Sequence, residues 1–244
     1  MGDRKMWNGL NWKNWRIAAK LDPDKKLREN TLQTIIDAGF DALIVGGTQG
    51  INSDNTDGLI NLIREANYPG PLVHEITVPG VVAQNVDAYF LPVVLNAGDV
   101  KWITGLHHRA IKHYAGRIPW DRTLAEGYVI CNPACAAGIM TRVNSVKTPD
   151  ATAYCDIAEK ILGLPVIYLE YSGTFGDPAL VEAVARRRES IHVFYGGGID
   201  SETRALAMSR LADTVIVGNV IYDNPAAIGD IVKAVRATGS PGRR

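Results

Sequence analysis

Tyr168, Glu170 and Ser172 alternate within one short run, Tyr168-Leu169-Glu170-Tyr171-Ser172-Gly173, and the two-residue period of a strand puts all three on one side. A carboxylate on the inner side of a sheet is expensive to bury unless it pairs, coordinates or does acid–base work, so Glu170 is the first candidate for a catalytic base. A structural ion pair with Lys20 is the competing reading. Lys20-Leu21-Asp22 likewise sets a cation and a carboxylate on one side of an earlier run. Asp22 with the Thr48 hydroxyl offers hard oxygen ligands of the kind that hold Mg²⁺ while substrate phosphates complete its shell. Preceding Pro23, Asp22 also reads as the N-cap of a helix.

Two glycine signals suggest where an anion would sit. Tyr195-Gly196-Gly197-Gly198-Ile199-Asp200-Ser201 and Val217-Gly218-Asn219 both end apolar runs and open into helical segments. Glycines there let backbone N–H groups approach an oxyanion, and a helix N-terminus adds favourable charge. Either signal alone reads as a tight turn. The pair, on consecutive strand ends, is the usual phosphate site of a parallel barrel.

The elements that would carry these groups are eight apolar runs, at 16–22, 42–48, 72–77, 88–96, 127–133, 166–173, 192–198 and 214–219. Most are continuously apolar, as strands buried on both faces are. Between most of them lie helical spacings: Leu27, Leu32, Ile35 and Ile36 precede the stop Ala38-Gly39, and Leu180, Val181 and Val184 follow the start signal Asp177-Pro178. The expected fold is an α/β class (β/α)₈ TIM barrel, with an open doubly wound sheet as the alternative. Only residues 78–87 separate the third run from the fourth, with Pro79 and Gly80 at their start, so the third helix should be missing or reduced to a turn. The whole span 1–244 then forms one domain, with an N-terminal extension over 1–14 and a disordered tail over 238–244.

Composition excludes several functions. With 26 basic and 26 acidic residues the 244-residue chain has no net charge to attract nucleic acid, and 46% hydrophobic with 21% charged residues is a globular balance. No apolar stretch approaches the ~18 residues of a spanning helix, and the polar, Trp-studded start lacks a secretory signal, so a cytoplasmic location is expected. Cys131, Cys135 and Cys155 read as free, packed thiols, and the spacing of His107, His108 and His113 matches no zinc pattern. Trp7, Trp12 and Trp15 could cap the barrel bottom or meet a partner.

From about Trp15 to Val235 the chain resembles the family of geranylgeranylglyceryl and heptaprenylglyceryl phosphate synthases. The resemblance is carried by Lys20-Leu21-Asp22-Pro23, Ile44 to Thr48, Leu95-Asn96, Glu126-Gly127-Tyr128, Tyr168 to Gly173, Tyr195 to Ile199 and Val217-Gly218-Asn219. It implies a modified barrel without its third helix, a Mg²⁺-dependent prenyltransferase and a homodimer. It also implies that Lys20, Tyr168, Glu170, Ser172, Gly173, Gly197, Gly198, Gly218 and Asn219 meet sn-glycerol 1-phosphate, with Asp22 and Thr48 holding Mg²⁺ at a polyprenyl diphosphate. Lys20, Tyr168 and Glu170 are then the catalytic group. A groove for the prenyl tail would draw on segment 88–106, and the position that limits tail length corresponds to Ala110, whose small side chain permits tails from geranylgeranyl to heptaprenyl. So apolar a donor is compatible with transient contact with a membrane surface.

Three alternatives stay open. A relative of this family transfers farnesyl to 3-phosphoglycerate, which would need an added cation near the acceptor carbons. A phosphosugar isomerase or aldolase would share the phosphate cradle, but no lysine stands at a late strand end to form an imine. A non-catalytic binder of a phospholipid precursor would have little use for Lys20, Asp22 and Glu170 together.

Overall fold

A computed structural model of the chain describes residues 10–239. Eight parallel strands, β1 (Ile17–Leu21), β2 (Ala42–Val45), β3 (Leu72–Glu75), β4 (Ala88–Val94), β5 (Thr123–Ile130), β6 (Val166–Glu170), β7 (His192–Gly196) and β8 (Thr214–Val217), close into a barrel in chain order. The closure is made by β8 against β1, with Ile17 facing Val215 and Ala19 facing Val217. The barrel therefore holds, and the open sheet does not. Nine α-helices among the described residues follow the strands: α1 (Thr31–Ala38), α2 (Ser53–Glu65), α3 (Gly105–Tyr114), α4 (Ala136–Thr141), α5 (Thr148–Asp156), α6 (Pro178–Arg187), α7 (Glu202–Ser209), α8 (Val220–Asp223) and α9 (Ile228–Ala237).

Helix signals act where expected. Gly39 ends α1 at φ +77°, and the Asp177 carboxylate accepts from the Ala179 amide at 2.9 Å to start α6 beside Pro178. The β2, β3, β6, β7 and β8 strands are buried at every residue, as their continuous apolar runs require. One boundary shifts: the fifth run, expected at 127–133, forms a strand from Thr123 to Ile130. Its polar first half, which includes Glu126, reads in sequence as loop and is buried by the barrel.

The third helix is absent. Between β3 and β4, Val81, Ala83 and Val86 turn inward and cover the sheet in its place. Two hydrogen bonds hold this turn, Ala83 N–H to His74 Nδ1 at 3.3 Å and Tyr89 O–H to the Ala83 carbonyl at 2.7 Å. Burial pushes the His74 pKa down to about 4, leaving the ring neutral and able to accept.

The N-terminal end of the barrel is plugged by Trp12 and Trp15. Trp12 packs edge-on against His192 and Phe194 at 5.2 and 6.4 Å, and Trp15 against Phe90 at 6.4 Å. Trp12 therefore anchors the segment 10–14 to the barrel while Asn11, Lys13 and Asn14 stay exposed, because an open barrel bottom exposes aromatic rings that two indoles can cover at about 1.5–3 kcal/mol each. Trp7 lies outside the described residues. At the other terminus the Thr238 hydroxyl donates to the Val235 carbonyl at 2.7 Å and lies 3.1 Å from that of Ser209. Residues 240–244 lie outside the described part. Among the described residues no helix is long and apolar enough to cross a membrane.

Candidate active site

The C-terminal end of the barrel gathers an unusual set of buried groups. Lys20 on β1 forms an ion pair with Glu75 on β3 at 2.5 Å. The Lys20 ammonium also donates to the Tyr128 hydroxyl at 3.0 Å, and that hydroxyl donates to Glu170 Oε2 at 2.8 Å. Tyr168 hydrogen-bonds to Glu170 as well. Lys20 therefore does not pair directly with Glu170, as the sequence allowed; β3 supplies its carboxylate and β5 supplies a phenol that links cation to base. The Tyr128 and Tyr168 rings stand 4.6 Å apart, and the ammonium lies 5.4 and 5.6 Å from their centres.

Glu126, two residues before Tyr128, faces the same space, and its Oε2 meets no hydrogen-bond partner among the described residues. Three carboxyl groups thus surround one ammonium. They cannot all ionise cheaply in so dry a place. Burial, reinforced by Glu75 and Glu170 and opposed by Lys20, pushes Glu126 well above the ordinary carboxylate range and favours its protonated form. Burial also raises Glu170, against the pull of Lys20 and of the hydrogen bonds from Tyr128 and Tyr168. For Lys20 burial is the largest influence and lowers it, but Glu75, Glu170 and Glu126 together outweigh burial and keep the ammonium charged.

Beside this cage the glycine turns form a rigid rim. Gly197 and Gly198 adopt φ of +132° and +59°. A Cβ on Gly197 would stand 2.5 Å from the Tyr171 carbonyl oxygen, and one on Gly198 would meet the Phe175 backbone, so only glycine lets β7 pass so close to the loop after β6. The Tyr195 hydroxyl clamps the two, accepting from the Gly176 amide at 2.8 Å and donating to the Gly197 carbonyl at 2.9 Å. A Cβ on Gly218 would enter open space, leaving its backbone approachable. Asn219 accepts from Lys25 at 3.0 Å, a cation that the sequence did not single out. Ser172 is exposed beyond the end of β6: the two-residue period stops where the chain turns, with Thr174 N–H donating to the Tyr171 carbonyl at 2.9 Å. Its carbonyl accepts from Asn132 at 2.7 Å, and Gly173 follows at φ +82°.

The other flank is a groove enclosing, with its mouth, about 880 Å³, within the ~300–1,000 Å³ usual for ligand sites. Lys20, Glu75, Gly47 and Thr48 lie at its polar end. Leu91, Val94, Trp102, Leu106 and Ala110 line it from the expected segment and α3. Ala137, Met140 and Thr141 of α4 complete it, a contribution that sequence spacing could not reveal. His107 is half-buried on this wall and bonded to the Ile103 carbonyl at 3.1 Å.

Thr48 lines the polar end of the groove, and Asp22 lies against its neighbour Gly47. Gly47 presses so close to the Asp22 carboxylate that a Cβ there would overlap it. The carboxylate also accepts from the Asp24 amide at 3.0 Å, which closes an Asx turn; it caps no helix, because α1 starts only at Thr31, behind Asn30. Among the described residues no group of three acidic, histidine or cysteine side chains is placed to hold a metal ion. A carboxylate and a hydroxyl suit Mg²⁺ only where substrate phosphates supply further oxygens.

Known proteins share the sequence pattern and the fold. The profile of the PcrB family matches residues 10–238. The heptaprenylglyceryl phosphate synthase of Brevibacillus brevis is 42% identical over 230 residues, 94% of this chain and 99% of its own length. That of Geobacillus kaustophilus is 43% identical over 210 residues, 86% and 87% of the two chains. Among solved structures, (S)-3-O-geranylgeranylglyceryl phosphate synthase from Thermoplasma acidophilum, in complex with its substrate sn-glycerol-1-phosphate, superposes with a TM-score of 0.78 at 23% identity, covering 91% of this chain and 93% of that one. The tryptophan synthase alpha chain of Legionella pneumophila shares the barrel at a TM-score of 0.54 and 15% identity over 93% and 94% of the two chains. With the profile match and more than 40% identity over most of its length, this chain belongs to the PcrB family.

Proposed function

We propose that the protein is a prenyltransferase that joins the hydroxyl of sn-glycerol 1-phosphate to the allylic carbon of a polyprenyl diphosphate, forming an ether and releasing diphosphate. The observation that carries the reading is the position of Glu170. It is a buried carboxylate held by two phenols, between a glycine rim suited to a phosphate monoester and an apolar groove suited to a long tail.

In this reading the backbone at Gly197, Gly198 and Gly218, with Ser172, Gly173 and Asn219, seats the acceptor's phosphate. Lys20 and Tyr168 orient the acceptor's free end toward Glu170, which takes the hydroxyl proton as the C–O bond forms. The raised Glu170 pKa makes it a better base than an exposed glutamate once it is ionised. By favouring the protonated form of Glu126, burial spares the cage a further negative charge beside that base. Asp22 and Thr48 would hold Mg²⁺, which when bound offsets the charge gathering on the leaving diphosphate. Ala110 leaves the groove open for a tail of geranylgeranyl to heptaprenyl length. A homodimer belongs to the same reading on the resemblance alone, and sedimentation velocity tests it.

The test is a matrix of geranylgeranyl, heptaprenyl and farnesyl diphosphates against glycerol 1-phosphate and 3-phosphoglycerate, with and without Mg²⁺, read by mass spectrometry. A Mg²⁺-dependent ether of glycerol phosphate is expected. Product only with 3-phosphoglycerate would move the protein to the other acceptor, and no ether with any pair would reject prenyl transfer.

A further inference from the structure

The flank that walls the groove has an outer face that the chemistry of the barrel does not use. From Val100 to Trp120 the chain carries Lys101, Arg109, Lys112 and Arg117 and no aspartate or glutamate, in a protein of zero net charge. Lys101 is shared with Asp99 at 3.8 Å, whereas Arg109 and Lys112 have no carboxylate within ion-pair distance among the described residues. Arg142 stands exposed at the end of α4.

Large apolar side chains are exposed among these cations. Val100 is 67% exposed, Ile139 68%, Ile111 43% and Met140 40%. They are not scattered. The Gly98 amide donates to the Thr141 carbonyl at 3.0 Å, which brings the segment before Val100 against the end of α4. Met140 both lines the groove and reaches solvent, so the apolar surface runs continuously from the groove to the outside. Helix α3 itself has no fully buried residue: Leu106 and Ala110 face the groove, while Arg109 and Lys112 are exposed.

We propose that this face, α3 and α4 with the segment around Val100, docks on an anionic lipid bilayer, so that the groove opens toward the apolar phase. Cations at the headgroups with aliphatic side chains between them are what an interfacial site requires. Charge decides against a second copy of the chain: a two-fold interface here would set Arg109 and Lys112 against their own equivalents. The use of the docked state, drawing the polyprenyl donor from the bilayer, rests on the prenyl-transfer reading; the docking itself does not.

The experiment measures partition of the full chain onto vesicles of phosphatidylcholine alone and of equal parts phosphatidylcholine and phosphatidylglycerol. Preference for the mixed vesicles, weakened by salt, is expected. The double variant Arg109→Glu/Lys112→Glu should lose that partition by more than about tenfold, and Ile139→Ser by several-fold, with circular dichroism melts matching the wild type because these side chains are exposed. Equal binding to both vesicle types, or unchanged binding by the double variant, overturns the proposal. So does self-association of the wild type that the double variant abolishes, since it would make a second copy the occupant. In parallel, the double variant should turn over a dispersed short-chain donor normally and a vesicle-borne heptaprenyl donor poorly. If the wild type turns over neither donor, prenyl transfer fails while partition still decides docking.

Discussion

The two sides of the site are built in opposite ways. On the β6–β8 side the backbone makes the shape: positive φ at Gly197 and Gly198, contacts that exclude any Cβ, and a tyrosine hydroxyl pinned to two loops. On the α3–α4 side, side chains make it, with no residue of α3 fully buried. A rigid rim suits a small acceptor of fixed size, and a side-chain groove can be reshaped to suit tails of different length. The cage of Lys20, Glu75, Glu126, Tyr128, Tyr168 and Glu170 sits between them, with Lys20, Glu75 and Tyr128 forming part of the groove wall.

The sharpest way to break this division is to remove the group at the boundary. Glu170→Gln keeps shape and hydrogen bonding but removes the base; turnover should fall by about 10²–10⁴ with little change in acceptor affinity, measured by steady-state kinetics and calorimetry. Near-normal turnover would take Glu170 out of the chemistry. On the adaptable side, Ala110→Trp should cut kcat/KM for the longest accepted donor by roughly 10–200-fold while sparing short ones, read in competition by mass spectrometry. Were short and long donors to suffer equally, Ala110 would not be setting tail length.

On the rigid side, Gly198→Ala forces a Cβ onto the Phe175 backbone at a positive φ. It should cost about 1–3 kcal/mol of stability in urea unfolding and raise KM for the acceptor more than for the donor. A rise in donor KM alone would show that the rim does not bind the acceptor.

The cage should reveal itself through pH. Because burial raises Glu170 despite Lys20 and two phenols, the acid limb of kcat should lie above the ordinary glutamate range, with activity rising as the pH increases through it. Stability runs the other way. Folded Glu126 and Glu170 hold protons that the unfolded chain has released, so their stabilising effect is full below the ordinary carboxylate range and is lost as pH rises through the raised values. Glu126→Gln mimics the neutral acid and should flatten that slope, changing stability at acid pH by less than about 1 kcal/mol. An unchanged slope would place the buried proton elsewhere.

Much of the fold was legible because burial on both faces leaves a plain mark, an unbroken apolar run. The missing third helix was legible because Pro79 and Gly80 leave no room for it. Glu126 and Tyr128 were quoted as part of a family motif but given no role, because a glutamate beside a glycine reads as loop and only the closed barrel encloses it. Glu75 sits in the third apolar run, and its pairing with Lys20 depends on the register of β1, β2 and β3 together, on which a single run is silent. The contribution of α4 to the groove is a matter of tertiary adjacency, on which local spacing is silent. Trp12 and Trp15 were expected to cap the barrel or meet a partner, and they fill its base.

Closure of β8 on β1 bears on synthesis. Asp22 is held through its amide by Tyr222 at 2.7 Å, and Lys25 reaches Asn219, so the loop after β1 is completed by residues that follow β8. A nascent chain that has not yet reached β8 would have the acidic residues of β3, β5 and β6 but no finished ring around them. The working centre therefore comes into being only when β8 closes on β1, and a chain cut short before that strand would expose an unpaired strand edge to quality control.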